Sequence, residues 1–228
     1  MENPVVEIVS ATRLSKKDFW ETSALGLSLL RISHDLRFLP KITFSNQRGL
    51  PDIYNERIKA PDQREILVFV HDDVWIDDYF LVDRLLRGCE AFDIIGVAGN
   101  RRRVTNQPAW PFVDDKFTWD DRANLAGSVA HGTTPFGPIS VFGPVPAECE
   151  LLDGVFLAAK KSALCDNGIL FDPIFDFHFY DMDFCRTSRQ KGLRLGAWPI
   201  CLTHQSNAAF GTPSWTKRHV QYRDKWRS

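Results

Sequence analysis

Short runs of branched and aromatic residues alternate along the chain with stretches of helical periodicity. The clearest run is Ile66-Leu67-Val68-Phe69-Val70. Five successive apolar side chains leave no polar face, so the segment reads as a strand covered on both sides. It ends abruptly in His71-Asp72-Asp73. Ionised carboxylates are too costly to bury without partners, so the strand leaves the core there. Upstream, Val5–Ser10 predicts a first strand. Lys16–Leu30 predicts a helix with Ser15 as its cap and Phe19, Leu25, Leu27, Leu29 and Leu30 as apolar positions. Lys41–Phe44 is a second short strand. A polar turn, Ser45–Gly49, leads into a helix from Pro51, where the missing proline donor costs nothing. A helix around Tyr79–Leu86 and a buried strand over Asp93–Ala98 follow. Such alternation argues for a parallel sheet with right-handed crossovers.

From Asn100 to about Gly143 the pattern changes. This stretch is rich in Gly, Pro, Trp and Asp and has no clear period. Irregular segments of that length are usually functional. Strand signals return at Ile139–Phe142 and Val155–Ala159. A helix from near Asp181 to about Lys191 is closed by Gly192, and Leu193–Ile200 reads as a further strand. From Ser206 onward the chain is polar, basic and aromatic. There is no internal repeat and no low-complexity tract.

Composition narrows the classes. At 228 residues, 44% hydrophobic and 25% charged, the chain can build a full core in one large α/β domain or two small ones. A formal net charge of -1 gives no reason to expect nucleic acid as a partner. No apolar stretch is long enough to span a membrane. Met1-Glu2-Asn3-Pro4 lacks the basic segment and apolar run of a secretory leader. The cysteines (Cys89, Cys149, Cys165, Cys185 and Cys201) are odd in number and form no C-x-x-C pair. They read as buried thiols in a reducing, cytoplasmic setting rather than a zinc site. Several Trp (Trp110, Trp119, Trp215 and Trp226) lie in loop-like segments, where rings often line a groove, although packing explains most aromatics.

Open α/β sheets bind ligands at the carboxyl ends of their strands, where Asp72 and Asp73 stand. Paired acids at such an edge can hold a divalent cation that serves a phosphate. The alternative is a solvated turn with helix-capping acids, since Asp77 and Asp78 follow closely.

Four segments in order point further. They are Gly49-Leu50-Pro51 with Tyr54-Asn55 ahead of His71-Asp72-Asp73; Asp153-Gly154-Val155 running into Phe156–Lys161; Phe179-Tyr180-Asp181-Met182-Asp183 with Lys191-Gly192 behind; and Leu202-Thr203-His204. Together the chain resembles the GT-A class of nucleotide-sugar glycosyltransferases, particularly family-2-like members, over about Val5 to Ser206. The resemblance implies a single GT-A-like, Rossmann-like α/β domain with a mixed, mostly parallel central sheet flanked by helices. A nucleotide half would run to about residue 100 and an acceptor half to about 206, with 207–228 as a basic aromatic tail or lid.

The resemblance also implies roles. Asp73 and His204 would hold Mn²⁺ or Mg²⁺, with Asp72 near the ribose or a metal-bound water. Imidazole would shift the preference toward Mn²⁺. Ser10, Ala11, Arg13, Asn46 and Asn55 match nucleotide-holding positions, and Asp153 could bond a sugar hydroxyl; ordinary turn chemistry is the alternative for each. Asp181 would be the general base of an inverting transfer. As a helix N-terminal acid it is also a plausible cap, and the helix dipole would favour its ionised form. His178 is the alternative base, and Asp183 reads as structural, paired with Arg186. Two positions depart from the family: His71 stands where the first Asp of D-x-D is common, and Tyr180 where Glu is common.

Arg101-Arg102-Arg103 reads as a solvated face or a phosphate contact. The tail, with Lys217, Arg218, Arg223, Lys225 and Arg227, could close over a diphosphate, bind an acidic membrane surface carrying a lipid-linked acceptor, or fray. The implied partners are a nucleotide-sugar donor and a glycan, lipid-linked or other hydroxyl acceptor. A cytoplasmic location goes with them, the inner membrane face and a larger glycan-assembly system being the settings the resemblance allows. A nucleotide-sugar hydrolase, a nucleotidyltransferase and a degenerate binding module are the rival readings.

Overall fold

Burial of Ile66–Val70 on both faces organises the architecture: all five residues are inaccessible or nearly so. The computed structural model describes residues 5–62, 64–205 and 210–227. The N-terminal Met1–Pro4 and the start of the tail at Ser206 lie outside them.

The elements run in chain order. First come β1 (Val6–Ala11), α1 (Lys16–Thr22), α2 (Ala24–Arg31), β2 (Phe38–Thr43), α3 (Leu50–Lys59) and β3 (Ile66–Val70). Next are β4 (Val74–Ile76), α4 (Leu81–Ala91), β5 (Ile94–Gly96) and β6 (Ala98–Asn100). Then follow β7 (Leu125–His131), β8 (Ile139–Gly143), β9 (Ala147–Cys149), β10 (Leu151–Leu152) and β11 (Phe156–Lys160). The last are α5 (Lys161–Asp166), α6 (Tyr180–Gln190), β12 (Leu195–Ala197), β13 (Leu202–His204) and α7 (Pro213–Trp226). No helix among the described residues is long and apolar enough to cross a membrane.

Several elements differ from expectation for local reasons. The helix expected over Lys16–Leu30 is two helices, because Ser23 ends one and caps the next by accepting from the Gly26 N–H at 2.9 Å. The irregular middle contains the seven-residue strand β7, whose Gly, Ser and His obscure its alternation. The strand expected over Asp93–Ala98 divides at Val97 into β5 and β6, which join different sheets.

The first sheet has the order β2-β1-β3-β11-β5-β12-β9. It is mixed: β2, β1 and β3 are mutually parallel, as are β5 and β12, while β11 runs antiparallel to both its neighbours. Helices α3 and α4 pack against its central strands. The second sheet has the order β10-β6-β7-β13-β4, with β8 also on β7. The chain crosses between the sheets at His71-Asp72-Asp73, from β3 to β4, and again at Asp153-Gly154-Val155, from β10 to β11. The two crossings meet where the His71 N–H donates to the Val155 carbonyl at 3.4 Å. Both acidic segments therefore meet at one seam, outside either ladder, with His71, Asp72, Asp73 and Asp153 half-buried there.

Candidate active site

At the seam, strand register brings distant residues together. β13 pairs with β4 so that His204 lies opposite Val74, next to Asp73. The His204 Nε2 is 3.4 Å from one Asp73 oxygen, and the His71 Nδ1 is 4.0 Å from the other. One donor atom from each of His71, Asp73 and His204 lies within 4.8 Å of the others. A hard anionic oxygen and two imidazoles suit a divalent transition ion such as Mn²⁺.

The tautomer of His71 supports that fit. The Tyr180 hydroxyl donates to the Gly154 carbonyl at 2.7 Å. It has one proton, so toward His71 Nε2, 2.8 Å away, it can only accept. Nε2 therefore carries the ring proton, and the Nδ1 lone pair is left on the Asp73 side. Burial lowers the His71 pKa and keeps the ring neutral. For His204, burial opposes charge, but the Asp73 hydrogen bond and carboxylate outweigh it and the pKa is raised. A ligating imidazole commonly donates its second nitrogen to an orienting group, and here that group is Tyr180. Tyr180→Phe should weaken Mn²⁺ affinity by about 10–100-fold in a calorimetric titration while leaving the circular dichroism spectrum unchanged. Undiminished affinity would mean that Tyr180 does not position the ligand.

Asp181 enters from α6. The helix begins after Phe179, a non-glycine residue held in the left-handed region at φ 66°. Aromatic rings of α7 hold it there: Phe179 stacks on His219 at 5.4 Å and on Tyr222 at 5.2 Å, and also touches Trp215. Asp181 accepts from the Gly154 N–H at 3.0 Å. Burial, then the neighbouring Asp153 charge, push its pKa from the ordinary 3.8 to about 7. The expected preference for the ionised form is thus overcome by desolvation. Gly154 admits no side chain, since a Cβ would lie 2.5 Å from the Tyr180 hydroxyl and 2.8 Å from the Asp181 Cβ. The Asp183 carboxylate is held by Lys225 at 2.8 Å and the Trp226 indole N–H at 2.8 Å, rather than by the expected Arg186. Arg186 instead stacks on Trp226 at 4.2 Å.

These groups open onto a cavity of about 650 Å³. Ala11, Asp72, Asp73, Asp153, Asp181 and His204 line it, as do His71, His131 and His178. The described lining contains no lysine or arginine. The Asp153 carboxylate accepts from the Trp110 indole N–H at 2.9 Å and the Val155 N–H at 3.0 Å.

Other sequence candidates fall elsewhere. Ser10 alternates with Ala11 across β1 and is fully buried on the core side. Arg13 is exposed and does not line the cavity. Asn46 closes its own turn, donating to the Arg48 carbonyl at 2.8 Å and accepting from the Arg48 N–H at 3.2 Å. Asn55 is buried, with its amide spent on the Phe171 backbone at 2.7 and 2.9 Å. Of the arginine run, Arg102 grips Asp120, and Arg101 and Arg103 are exposed. Within the described part of the tail, α7 is a packed helix whose cations are largely engaged: Arg218 with Asp176, Arg223 with Asp115, and Lys225 with Asp172 and Asp183. It contributes Trp215 to the cavity. Sequence reasoning missed the hydrogen bond between His71 and Tyr180. Their signal was that both family departures occur in one chain.

No protein-family model matches the sequence, and no curated protein matches it. Among solved structures, the catalytic domain of Drosophila beta1,4-galactosyltransferase 7, crystallised with xylobiose, has a TM-score of 0.51 at 10% identity. That match covers 94% of this chain and 79% of the other. S. aureus TarS 1-349 gives a TM-score of 0.47 at 12% identity, covering 89% of this chain and 58% of that one. A197 from STIV gives 0.41 at 10% identity, covering 88% and 82%. The galactosyltransferase likeness shows the fold alone, a mixed α/β architecture of the GT-A type.

Proposed function

We propose that this protein transfers a sugar from a nucleoside-diphosphate sugar to a hydroxyl acceptor, with inversion and with a divalent cation. One observation carries the reading. The cavity has four carboxylates and no described lysine or arginine, yet it contains a His-Asp-His cluster and one carboxyl with a pKa of about 7. A diphosphate cannot enter such an acidic cavity uncompensated, and His71, Asp73 and His204 are the residues that would hold the compensating ion. Bound there, Mn²⁺ or Mg²⁺ would stabilise charge developing on the leaving diphosphate.

The remaining work falls to the chain. Ala11 and Asp72, at the carboxyl ends of β1 and β3, suit the nucleotide side of the cavity. Asp181, unlike an ordinary surface Asp, can both exist as carboxylate and retain a proton near neutral pH. It would take the proton of the acceptor hydroxyl as the acceptor oxygen attacks the anomeric carbon. Asp153, which lines the same space, adds to the burial that raises the Asp181 pKa. With donor and acceptor bound against the aromatic walls, water that would otherwise hydrolyse the donor would be displaced.

Product analysis tests the reading. The protein, Mn²⁺ and a set of UDP-, GDP- and dTDP-sugars should yield a new glycoside when a hydroxyl acceptor is present. Free sugar alone would mean a hydrolase. Metal-independent nucleotide binding without any product would mean a binding module.

A further inference from the structure

Part of the cavity wall is an aromatic group from the segment between β6 and the end of β8, and neither the metal cluster nor the base explains it. Trp110, Phe112, Trp119 and Phe142 line it. Trp119 and Phe142 lie nearly parallel, 17° apart with centroids at 5.9 Å, and Phe112 meets Trp119 edge-on at 5.2 Å. Trp119 nonetheless leaves 54% of its surface exposed. Trp119 is not a lone surface ring but part of a contiguous aromatic patch with Phe112 and Phe142, the kind of exposed apolar surface that marks a ligand site.

The surface is preformed. Phe112 and Trp119 pair across a short antiparallel bridge. Next to Trp119, the buried Asp120 accepts from Asn100, Arg102 and Asn124, which hold its carboxyl far below the usual range. The Trp110 carbonyl accepts from Asn100 at 3.0 Å and Gln107 at 2.9 Å. Both ends of the loop are therefore fixed to β6, and the rings lose little freedom when a ligand binds.

The charge pattern selects the ligand. With no described lysine or arginine in the lining, a sulfate, phosphate or carboxylate on this side would face Asp153 and Asp181 without a counter-charge. A neutral pyranose suits the wall instead: its C–H face can lie flat on an indole, and its hydroxyls can bond carboxylates such as Asp153 and Asp181, which line the same cavity. We propose that this wall is the acceptor subsite and takes a neutral glycan, with a sugar stacked on Trp119. The proposal rests on the transfer reading, which requires an acceptor hydroxyl at Asp181.

The test is a glycan array carrying neutral, sulfated and sialylated oligosaccharides, probed with wild type and with Trp119→Ala and Trp119→Phe in the presence of Mn²⁺. Calorimetry with UDP, GDP and dTDP plus Mn²⁺ is run on the same three proteins. Wild type should retain neutral glycans. Trp119→Ala should lose about tenfold in glycan affinity, Trp119→Phe should keep most of it, and nucleotide affinity should not change. Preferential retention of charged glycans, indifference to Trp119→Ala, or no glycan retained by a protein that binds a nucleotide would overturn the proposal. If no nucleotide binds but neutral glycans are held through Trp119, the glycan surface stands and the donor reading fails.

Discussion

Replacing Asp181 with Asn should lower the transfer rate by about 10²–10⁴-fold, the range of a general base, while nucleoside-diphosphate affinity stays within about twofold. The carboxyl is bonded to Gly154 and is not part of the metal cluster, so its loss should not disturb the donor. In wild type the rate should rise with pH through about 7, following ionisation of this group. The same substitution should stabilise the fold. A carboxyl whose pKa is raised from 3.8 to about 7 in the folded state favours folding when protonated. That contribution is lost as pH rises through about 7. The gain of Asp181→Asn in melting temperature should therefore grow from about pH 4 to about pH 7 and be larger at pH 8 than at pH 5. Three pKa units set an upper bound of about 4 kcal/mol, which solvent in the cavity reduces. An Asn variant with wild-type turnover would remove Asp181 from the mechanism and leave His178, which also lines the cavity, as the base.

Stripping divalent ions with EDTA should abolish both nucleoside-diphosphate binding and transfer, and Mn²⁺ should restore them. Asp73→Asn should reproduce the loss even with Mn²⁺ present. A neutral amide offers a much weaker oxygen ligand, and the cluster would then rest on two imidazoles. His204→Ala and His71→Ala should each weaken Mn²⁺ binding by at least about tenfold. Calorimetry with and without EDTA decides the matter. Tight diphosphate binding in EDTA would require some other positive group, and none of the described residues lining the cavity is a lysine or arginine.

Much of this was legible in the sequence. The Ile66–Val70 strand, the polar end at His71–Asp73, and the α6 start with Gly192 behind it were each set by local pattern: continuous burial, a run of acids, and a residue that adopts φ 80°. Asp73 and His204 could be joined only through the family resemblance, because their contact depends on β13 pairing with β4. Other features were opaque because they depend on tertiary competition. Asn55 and Asn46 look alike as polar loop or helix residues, yet one cross-links the core at Phe171 and the other only closes a turn. The Asp181 pKa could not be read from its place on a helix, where the dipole argues for ionisation, because burial against the second sheet crossing decides it. Splitting of Asp93–Ala98 between two sheets left no mark in hydropathy, since both halves are buried. His71 and Tyr180 each look like a defect when compared singly with the family. Bonded to each other, they are one exchange.

The last helix has a consequence for anyone who would shorten this chain. Its rings clamp the unusual backbone of Phe179, and its Lys225 and Trp226 anchor Asp183, two residues beyond the proposed base. It works as a strut under the chemistry rather than as trim. A version ending before Pro213 would keep His71, Asp73 and His204 and lose the helix that packs on Phe179 and holds Asp183 beside the proposed base.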